Sequence, residues 1–397
     1  MQKIVTPVIK HHVKVCGNSH TFCAHPLYGE MLSFGNGEIT FMHQHLDDFE
    51  YTKDANVRHG QLGVHAKAKI MLTRSYDGGY TWPESERVVV LDQGKSLEEK
   101  RAMFNWSKKS KWALTLDDMP PVTDDTVFHF GQVFCGEDIG GGKRSLSTYM
   151  ARSSDKGKTW DNRIVEPENP GFTYIQAWPT IVAREGKILK PFVVSMDENL
   201  DDNSPYAVYR CVVFSSEDGG ITWQYVSEAA RDPYHEICYS YPALIDFGGD
   251  NLAMTSGAWK TPFCISDAAT RGWANTRWAS ICFSDDLGLN WTKPRIIQTH
   301  GVSPYPLLLR DGRLLIVYAR RLPVSLTGMY GIVSGDGGKT WSDEFILRHG
   351  DAGGPDIGYP EAVQLENGDI FMGYYYSDKD GLPLGGARYI AGTIFTI

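Results

Sequence analysis

The chain has 397 residues, of which 42% are apolar and 22% charged, a composition typical of a soluble globular protein. Its formal net charge is −9 and it contains no long basic run, which argues against a nucleic-acid partner, because such a partner requires a clustered positive surface. It also contains no apolar run of about 18 residues, so we expect no membrane-spanning helix and no membrane partner.

The N-terminal segment, MQKIVTPVIKHHVKV, lacks the apolar core of a secretory signal peptide. The seven cysteines are scattered, odd in number and form no C-x-x-C pair, which favours reduced structural thiols over a disulfide framework. These features predict a cytoplasmic protein, or a secreted one if a leader has been removed. No histidine or cysteine spacing is diagnostic of a metal site, so we expect no bound metal and no cofactor.

The first recurring element is SYDGGYTW at residues 75–82. Its later copies are SSDKGKTW (153–160), SEDGGITW (216–223), SDDLGLNW (284–291) and SGDGGKTW (334–341). Each copy follows a strand-like run, and its Asp and Gly are typical of a hairpin turn. The Trp that ends each copy is suited to packing between neighbouring modules. Such self-similarity predicts a modular array.

A second element alternates with the first and consists of a ring-bearing residue followed by Pro, a strand, a tight turn and another strand. It begins at His25, Trp178, Tyr241, Tyr305 and Tyr359. The interval between the first two copies of this element, at His25 and Trp178, is about twice the other intervals. One degenerate module is therefore predicted inside it, near residues 104–118. Each module therefore reads as a four-stranded antiparallel blade.

Counting the modules predicts an all-β fold, a six-bladed β-propeller that forms a single domain over residues 1–397, with seven blades as the alternative. The last module lacks a fourth strand. The N-terminal VIKHHVKV can supply that strand, which would close the ring and leave no open sheet edge. The central channel of such a ring can hold a structural cation.

The repeated S-x-D-x-G-x-T-W phrases resemble the Asp-boxes of the sialidase (neuraminidase) superfamily, over nearly the whole chain. The resemblance implies that the Asp-boxes are structural and that the active site lies over the central axis, beside the starts of the inner strands. Those starts carry His25, Trp178, Tyr241, Tyr305 and Tyr359, and aromatic rings there suit stacking on sugar C–H faces. Asp-boxes also occur in arabinan-degrading enzymes, polysaccharide lyases and non-catalytic receptors, so the fold does not settle the chemistry.

For a sialidase-like hydrolase, the resemblance implies a tyrosine nucleophile at Tyr359, in GYPEAVQ, with Glu236 drawing off its proton. The acid/base would come from the long polar loop of the first blade, at Asp48 or Asp47.

The family also binds the substrate carboxylate with an arginine triad, and here the sequence departs from the pattern. His25 stands where the first arginine is expected, and the fourth blade offers Lys260 instead of an arginine. The remaining candidates for carboxylate binding are Arg58, Arg320, Arg321 and Arg388.

Histidines are concentrated in the first blade, where His45 and His65 lie on neighbouring predicted strands. Some lyases with Asp-box propellers pair His with Tyr to abstract the proton beside a uronate carboxylate, and a base of near-neutral pKa suits that step. The leading reading is a sialidase-like glycoside hydrolase that removes a terminal acidic sugar from a glycan. The alternatives are a His/Tyr lyase or related hydrolase on uronic-acid glycans, and a non-catalytic glycan-binding propeller. The sequence leaves the oligomeric state open.

Overall fold

The computed structural model describes residues 4–24, 29–52, 67–104, 121–140, 143–172, 174–184, 186–196, 208–260, 277–321 and 324–397. The predictions for His25, Arg58 and His65 lie outside the described residues, as does most of the degenerate module predicted near residues 104–118.

The described strands fall into six sheets, which confirms a six-bladed propeller and not a seven-bladed one. The first blade contains β2 (Phe22–Ala24), β3 (Leu32–Gly35), β4 (Glu38–Leu46), β5 (Lys69–Ser75) and β6 (Val88–Asp92). The second contains β7 (Val127–Gly140), β8 (Lys143–Ser153) and β9 (Asp161–Ile164). The third contains β10 (Glu166–Pro167), β11 (Tyr174–Ala177), β12 (Val182–Arg184), β13 (Lys187–Met196), β14 (Val208–Ser216) and β15 (Thr222–Ala230).

The remaining blades are regular four-stranded sheets. The fourth contains β16 (Ile237–Gly248), β17 (Asn251–Lys260), β18 (Trp278–Ser284) and β19 (Arg295–Gln298). The fifth contains β20 (Val302–Leu308), β21 (Leu314–Arg320), β22 (Gly328–Ser334) and β23 (Phe345–His349). The sixth contains β24 (Gly358–Gln364), β25 (Ile370–Ser377), β26 (Arg388–Thr396) and β1 (Val8–Cys16).

The described part of the chain contains one α-helix, α1 (Leu97–Met103). It begins at a capping box in which the Ser96 hydroxyl accepts from the Glu99 N–H and the Glu99 carboxylate accepts from the Ser96 N–H. Short 3-10 turns span Glu84–Glu86, Val324–Leu326 and Pro383–Gly385. Among the described helices, none has the length and apolarity that a membrane crossing needs.

The ring is joined at its ends by β1, which pairs antiparallel with β26 as the outermost strand of the sixth blade. The register runs from Val8 opposite Thr396 to Cys16 opposite Ile390. The first and last strands of the chain therefore lie in one sheet, and the first strand forms its outer edge.

The five Asp-boxes fold into the same hydrogen-bonded turn. In the box at residues 334–341, the Asp336 carboxylate accepts from the Ser334 hydroxyl at 2.7 Å and from both the backbone and the hydroxyl of Thr340 at 2.8 and 2.6 Å. The Ser334 hydroxyl in turn accepts from the Gly338 N–H at 2.8 Å. Each turn satisfies its own polar groups, as local Asp turns do.

The Trp of the Asp-box packs against the preceding blade. Trp82 of the first blade lies 5.2 Å from Phe371 of the sixth, and Trp223 of the third lies 5.4 Å from Phe130 of the second, measured between ring centroids. The Gly79 position shows how close this packing is, because a Cβ there would come within 2.2 Å of the Phe371 ring. The boxes are therefore contacts between blades.

Replacing one of these tryptophans should destabilise the ring. Trp223 is 2% exposed and also contacts Phe192, so Trp223→Ala should lower the free energy of unfolding by about 3–5 kcal/mol through cavity formation. Denaturant unfolding measures the change. The exposed Tyr234, at 83%, provides the control Tyr234→Ala, and a loss no larger than that control would contradict inter-blade packing by Trp223.

The Asp-box carboxylates should also make the fold acid-sensitive. Burial acts to raise the pKa of Asp155, but the bonds from Thr159 and Ser153 outweigh it and lower the pKa to about 2 from an ordinary 3.8. A depressed pKa means that the carboxylate stabilises the fold above its ordinary pKa and that this stabilisation is lost as pH falls toward 2.

Asp155→Asn should therefore be less stable than the parent protein near pH 6, and the difference should shrink as the pH is lowered from 5 to 2. Thermal unfolding at several pH values measures this gap, with the exposed Asp124→Asn as a control. A gap that does not depend on pH would contradict the role of the charged form.

Candidate functional site

Strand register separates the two ends of the propeller. In the fourth blade, Leu252 of β17 pairs with Ser284 of β18 at the end that carries the Asp-box. At the opposite end of the same sheet, Trp259 of β17 pairs with Cys238 of β16. We call this second end the hub face. The described candidates at the hub face include Asp47, Asp48, Trp178, Glu236, Tyr241, Arg320, Arg321, Tyr359 and Arg388.

Three inner strands enter the hub with the same irregularity. Tyr241, Ser303 and Tyr359 have positive φ angles of 58°, 51° and 49°, each precedes a proline, and each lies at a break in strand register. A bulky residue at positive φ is strained, and such strain is typical of functional sites. These three residues line the same small space between the blades.

The same register corrects the alignment of the fifth blade. The sequence SPYP contains two prolines, and the position equivalent to Tyr241 and Tyr359 is Ser303, not Tyr305. Tyr305 still lines the central channel, two residues deeper, where it is 7% exposed.

Aromatic side chains from three blades meet at the hub. The Tyr241 ring centroid lies 5.1 Å from that of Trp178, 5.5 Å from that of Tyr359 and 6.0 Å from that of Trp259. Tyr359 also stacks on Tyr375 at 5.7 Å. The structure therefore brings together three of the ring-bearing residues predicted for this face, and adds Trp259 and Tyr375 to them.

Beside this cluster lies a buried charge network. The Arg321 side chain lies 5.6 Å from the Tyr359 ring and donates to the Tyr375 hydroxyl at 3.0 Å. The Tyr375 hydroxyl donates to Asp356 at 2.7 Å, and Asp356 also accepts from Arg388 at 3.1 Å. Arg388 is thus paired with a buried carboxylate.

Arg320 is directed away from this network. It donates to Glu344 of the same blade at 2.7 Å, and Glu344 also accepts from the Tyr318 hydroxyl. Of these two adjacent candidates, Arg321 joins the hub-face network and Arg320 does not, because adjacent residues leaving a strand point to opposite sides.

Arg277 is a hub-face cation that the sequence analysis did not select. It lies 4.6 Å from the Trp259 ring and donates to the Tyr241 hydroxyl at 3.1 Å. It is half-buried and precedes β18, in NTRWAS. In the sequence, Arg277 is recognisable only as a basic residue directly before an outer strand. It was missed because the resemblance to the family places site residues at the starts of inner strands.

The channel below the aromatic cluster is nearly closed. The residue–proline pairs of blades three to six surround a space of about 20 Å³, which is enough for about one water molecule. The channel is therefore too small to hold a molecule much larger than water.

Charged groups lie under the rings. The Lys190 ammonium donates to the backbone carbonyls of Trp178 and Pro179. Burial lowers the pKa of Lys190 to about 7, although Glu30 and Glu361 oppose the fall. Burial raises the pKa of Glu30 to about 7, and the Glu361 carboxylate accepts from the Met31 N–H at 2.7 Å. Burial thus disfavours the charged forms of both Lys190 and Glu30 at this depth.

The predicted acid/base residues occupy the rim of the hub face. Asp48 and Glu236 are exposed, on the loops after β4 and before β16. Asp47 is held by His45 at 2.9 Å and by Lys69 at 2.7 Å. The His45 Nε2 bonds to Asp47, and its Nδ1 lies 3.2 Å from the Cys23 thiol.

The family model described as a BNR repeat-like domain matches residues 122–372, more than half of the chain. The chain belongs to this family. The resemblance to Asp-box propellers is thereby confirmed. A comparison with curated proteins gave no match.

Solved structures share the fold at low identity. A Dyadobacter fermentans protein of unknown function is 20% identical with a TM-score of 0.68, covering 99% of this chain and 100% of its own. The Hadza microbial sialidase Hz136 is 14% identical with a TM-score of 0.60, covering 96% and 68% respectively. A Penicillium chrysogenum α-L-arabinanase complexed with arabinobiose is 14% identical with a TM-score of 0.58, covering 98% of each chain.

Proposed function

We propose that this propeller is a glycoside hydrolase that removes a terminal acidic sugar from a glycan or oligosaccharide at the hub face. The observation that carries the proposal is the position of Tyr359, which has a strained φ of 49° and lies between the Tyr241 ring and the Arg321 guanidinium. The likeness to a sialidase and to an arabinanase complexed with arabinobiose supports a glycan substrate.

The aromatic rings provide the floor for a sugar. Tyr241, Trp178 and Trp259 present faces and edges within about one ring width of one another, and C–H faces of pyranoses stack on such surfaces. Tyr209, 6.5 Å from Trp259, and Tyr174, 5.8 Å from Tyr209, extend the aromatic surface over the third blade. This extension suits the further sugar units of an oligosaccharide.

Arg277 accounts for the acidic preference. Among the hub-face arginines, Arg388 is neutralised by Asp356, whereas the half-buried Arg277 rests on Trp259 and bonds to a phenol hydroxyl. A guanidinium held in this way stays charged, and its paired N–H donors can bind a substrate carboxylate in a bidentate manner.

In the proposed mechanism the Tyr359 oxygen attacks the anomeric carbon while Glu236 accepts the phenol proton. The Arg321 guanidinium, 5.6 Å from the ring, stabilises the negative charge that develops on the phenol. Asp48 protonates the leaving glycosidic oxygen and then activates the water that releases the sugar. Both carboxylates are exposed on loops at the hub face, which is consistent with these roles.

The runner-up is a lyase acting on uronic-acid glycans. The described contacts of His45 are with Cys23 and Asp47, and they give no support to a proton-abstracting role. The product distinguishes the two reactions, because elimination leaves an unsaturated uronate that absorbs in the ultraviolet and hydrolysis does not.

Tyr359→Phe should abolish hydrolysis while leaving the fold intact, since the phenyl ring keeps the contacts with Tyr241 and Tyr375. We expect kcat to fall on the order of 10³-fold or more. The assay compares fluorogenic glycosides of sialic acid, glucuronic acid and arabinofuranose, with Tyr234→Phe as the exposed control. Unchanged turnover in a folded Tyr359→Phe protein would contradict the nucleophile assignment.

Arg277→Ala should raise KM for the acidic glycoside by about 10–100-fold, as expected for the loss of a charged hydrogen bond of about 1.5–3 kcal/mol. Arg295 is the matched control, because it also lies over an aromatic ring, Phe283, but belongs to the Asp-box side of its blade. Equal effects of Arg277→Ala and Arg295→Ala on KM would argue against carboxylate recognition by Arg277.

A further inference from the structure

Four potential metal ligands converge in the first blade, next to the ring closure. Cys16, Cys23, His43 and His45 each offer one ligand atom, and these atoms all lie within 4.8 Å of one another. The four residues are 5%, 0%, 0% and 8% exposed. We call this set the Cys2His2 cluster.

The ligand atoms are already paired at short range. The Cys16 Sγ lies 3.3 Å from the His43 Nε2, and the Cys23 Sγ lies 3.2 Å from the His45 Nδ1. Tetrahedral bonds of about 2.3 Å to sulfur and about 2.0 Å to nitrogen place neighbouring ligand atoms about 3.3–3.8 Å apart. The cluster therefore needs little rearrangement to surround one ion.

The outer nitrogen of each imidazole is fixed by an oxygen acceptor. The His43 Nδ1 donates to the Gln44 carbonyl at 3.0 Å, and the His45 Nε2 donates to the Asp47 carboxylate at 2.9 Å. These bonds leave the lone pairs of His43 Nε2 and His45 Nδ1 directed at the cysteines. Metal-binding histidines are typically oriented by such carbonyl and carboxylate partners.

We propose that the Cys2His2 cluster binds one Zn²⁺ ion as a closed structural site. Two thiolates and two imidazoles in a tetrahedral arrangement select zinc among the common divalent ions. All four positions come from the protein, which is typical of structural and not catalytic zinc. On binding, the two thiols release their protons to solvent and each sulfur donates a lone pair to the metal.

The position of the cluster indicates what the ion does. Cys16 is the last residue of β1, a strand of the sixth blade, and it pairs with Ile390 of β26. Cys23 lies on β2 and pairs with His45 on β4, in the first blade. The zinc ion therefore ties the outermost strand of the last blade to the inner strands of the first, and fastens the junction at which the ring closes.

The spacing of these two cysteines and two histidines along the chain matches no zinc-site pattern, so the sequence alone predicts no metal. The ligands come together because β1 belongs to the sixth blade, whereas the next strands, β2 and β4, belong to the neighbouring first blade.

The test is the metal content of the full-length protein purified from zinc-supplemented medium, measured by inductively coupled plasma mass spectrometry. We expect about one zinc ion per chain. Cys23→Ser and His45→Ala should reduce the zinc content at least ten-fold, whereas Cys282→Ala, which removes a buried thiol outside the cluster, should leave it unchanged. Asp47→Asn should weaken zinc affinity by about 10–100-fold.

Two measurements keep the proposal testable if a variant fails to fold. The parent protein should lose thermal stability in a strong chelator and regain it with added zinc. Its cobalt(II) form should show the absorption of tetrahedral cobalt with thiolate ligands. Parent protein that takes up no zinc, or a Cys16–Cys23 disulfide found by mass spectrometry in the purified protein, would overturn the proposal.

Discussion

Closure of the ring is the constraint on which the rest of this structure depends. Each blade buries one face against its neighbour, and the Asp-box tryptophans fill the wedge between them, as Trp82 does against Phe371 across the junction of the first and sixth blades. The pairing of β1 with β26 converts a linear array into a ring. The hub face exists only in the closed form, because Trp178, Tyr241 and Tyr359 come from blades that are distant in sequence and meet at the axis.

The two ends of the propeller divide structural and chemical roles. At the Asp-box end, short turns satisfy their own polar groups and carry the packing between blades. At the hub face, strand starts are bulged, Tyr241 and Tyr359 adopt positive φ, and charges are partly buried. This backbone strain persists because the contacts of the surrounding sheets stabilise the strained conformation. The rigid sheets below therefore hold the hub-face side chains in place, and Lys190 satisfies the carbonyls that the third inner strand leaves at the floor.

Much of the fold could be read from the sequence, because the Asp-box is a local motif whose Ser, Asp, Gly and Trp interact within eight residues. The aromatic–proline phrase was less reliable, since SPYP offers two prolines and only the register break shows that Ser303 takes the bulged position. Individual site residues were harder still. Arg320 and Arg321 are neighbours, and which of them faces the hub depends on where β21 ends. Arg277 and the Cys2His2 cluster depend on contacts between segments far apart in the chain, which local patterns do not encode.

We infer that the closed ring forms one sugar site at the hub face. The most direct measurement is a crystal structure of the protein soaked with the monosaccharide released by its reaction, or with a transition-state analogue of it. We expect the sugar ring to lie above Tyr241 and Tyr359, with its carboxylate within hydrogen-bond distance of Arg277. A sugar bound at the Asp-box end or on the outer strands, with the hub face empty, would contradict it.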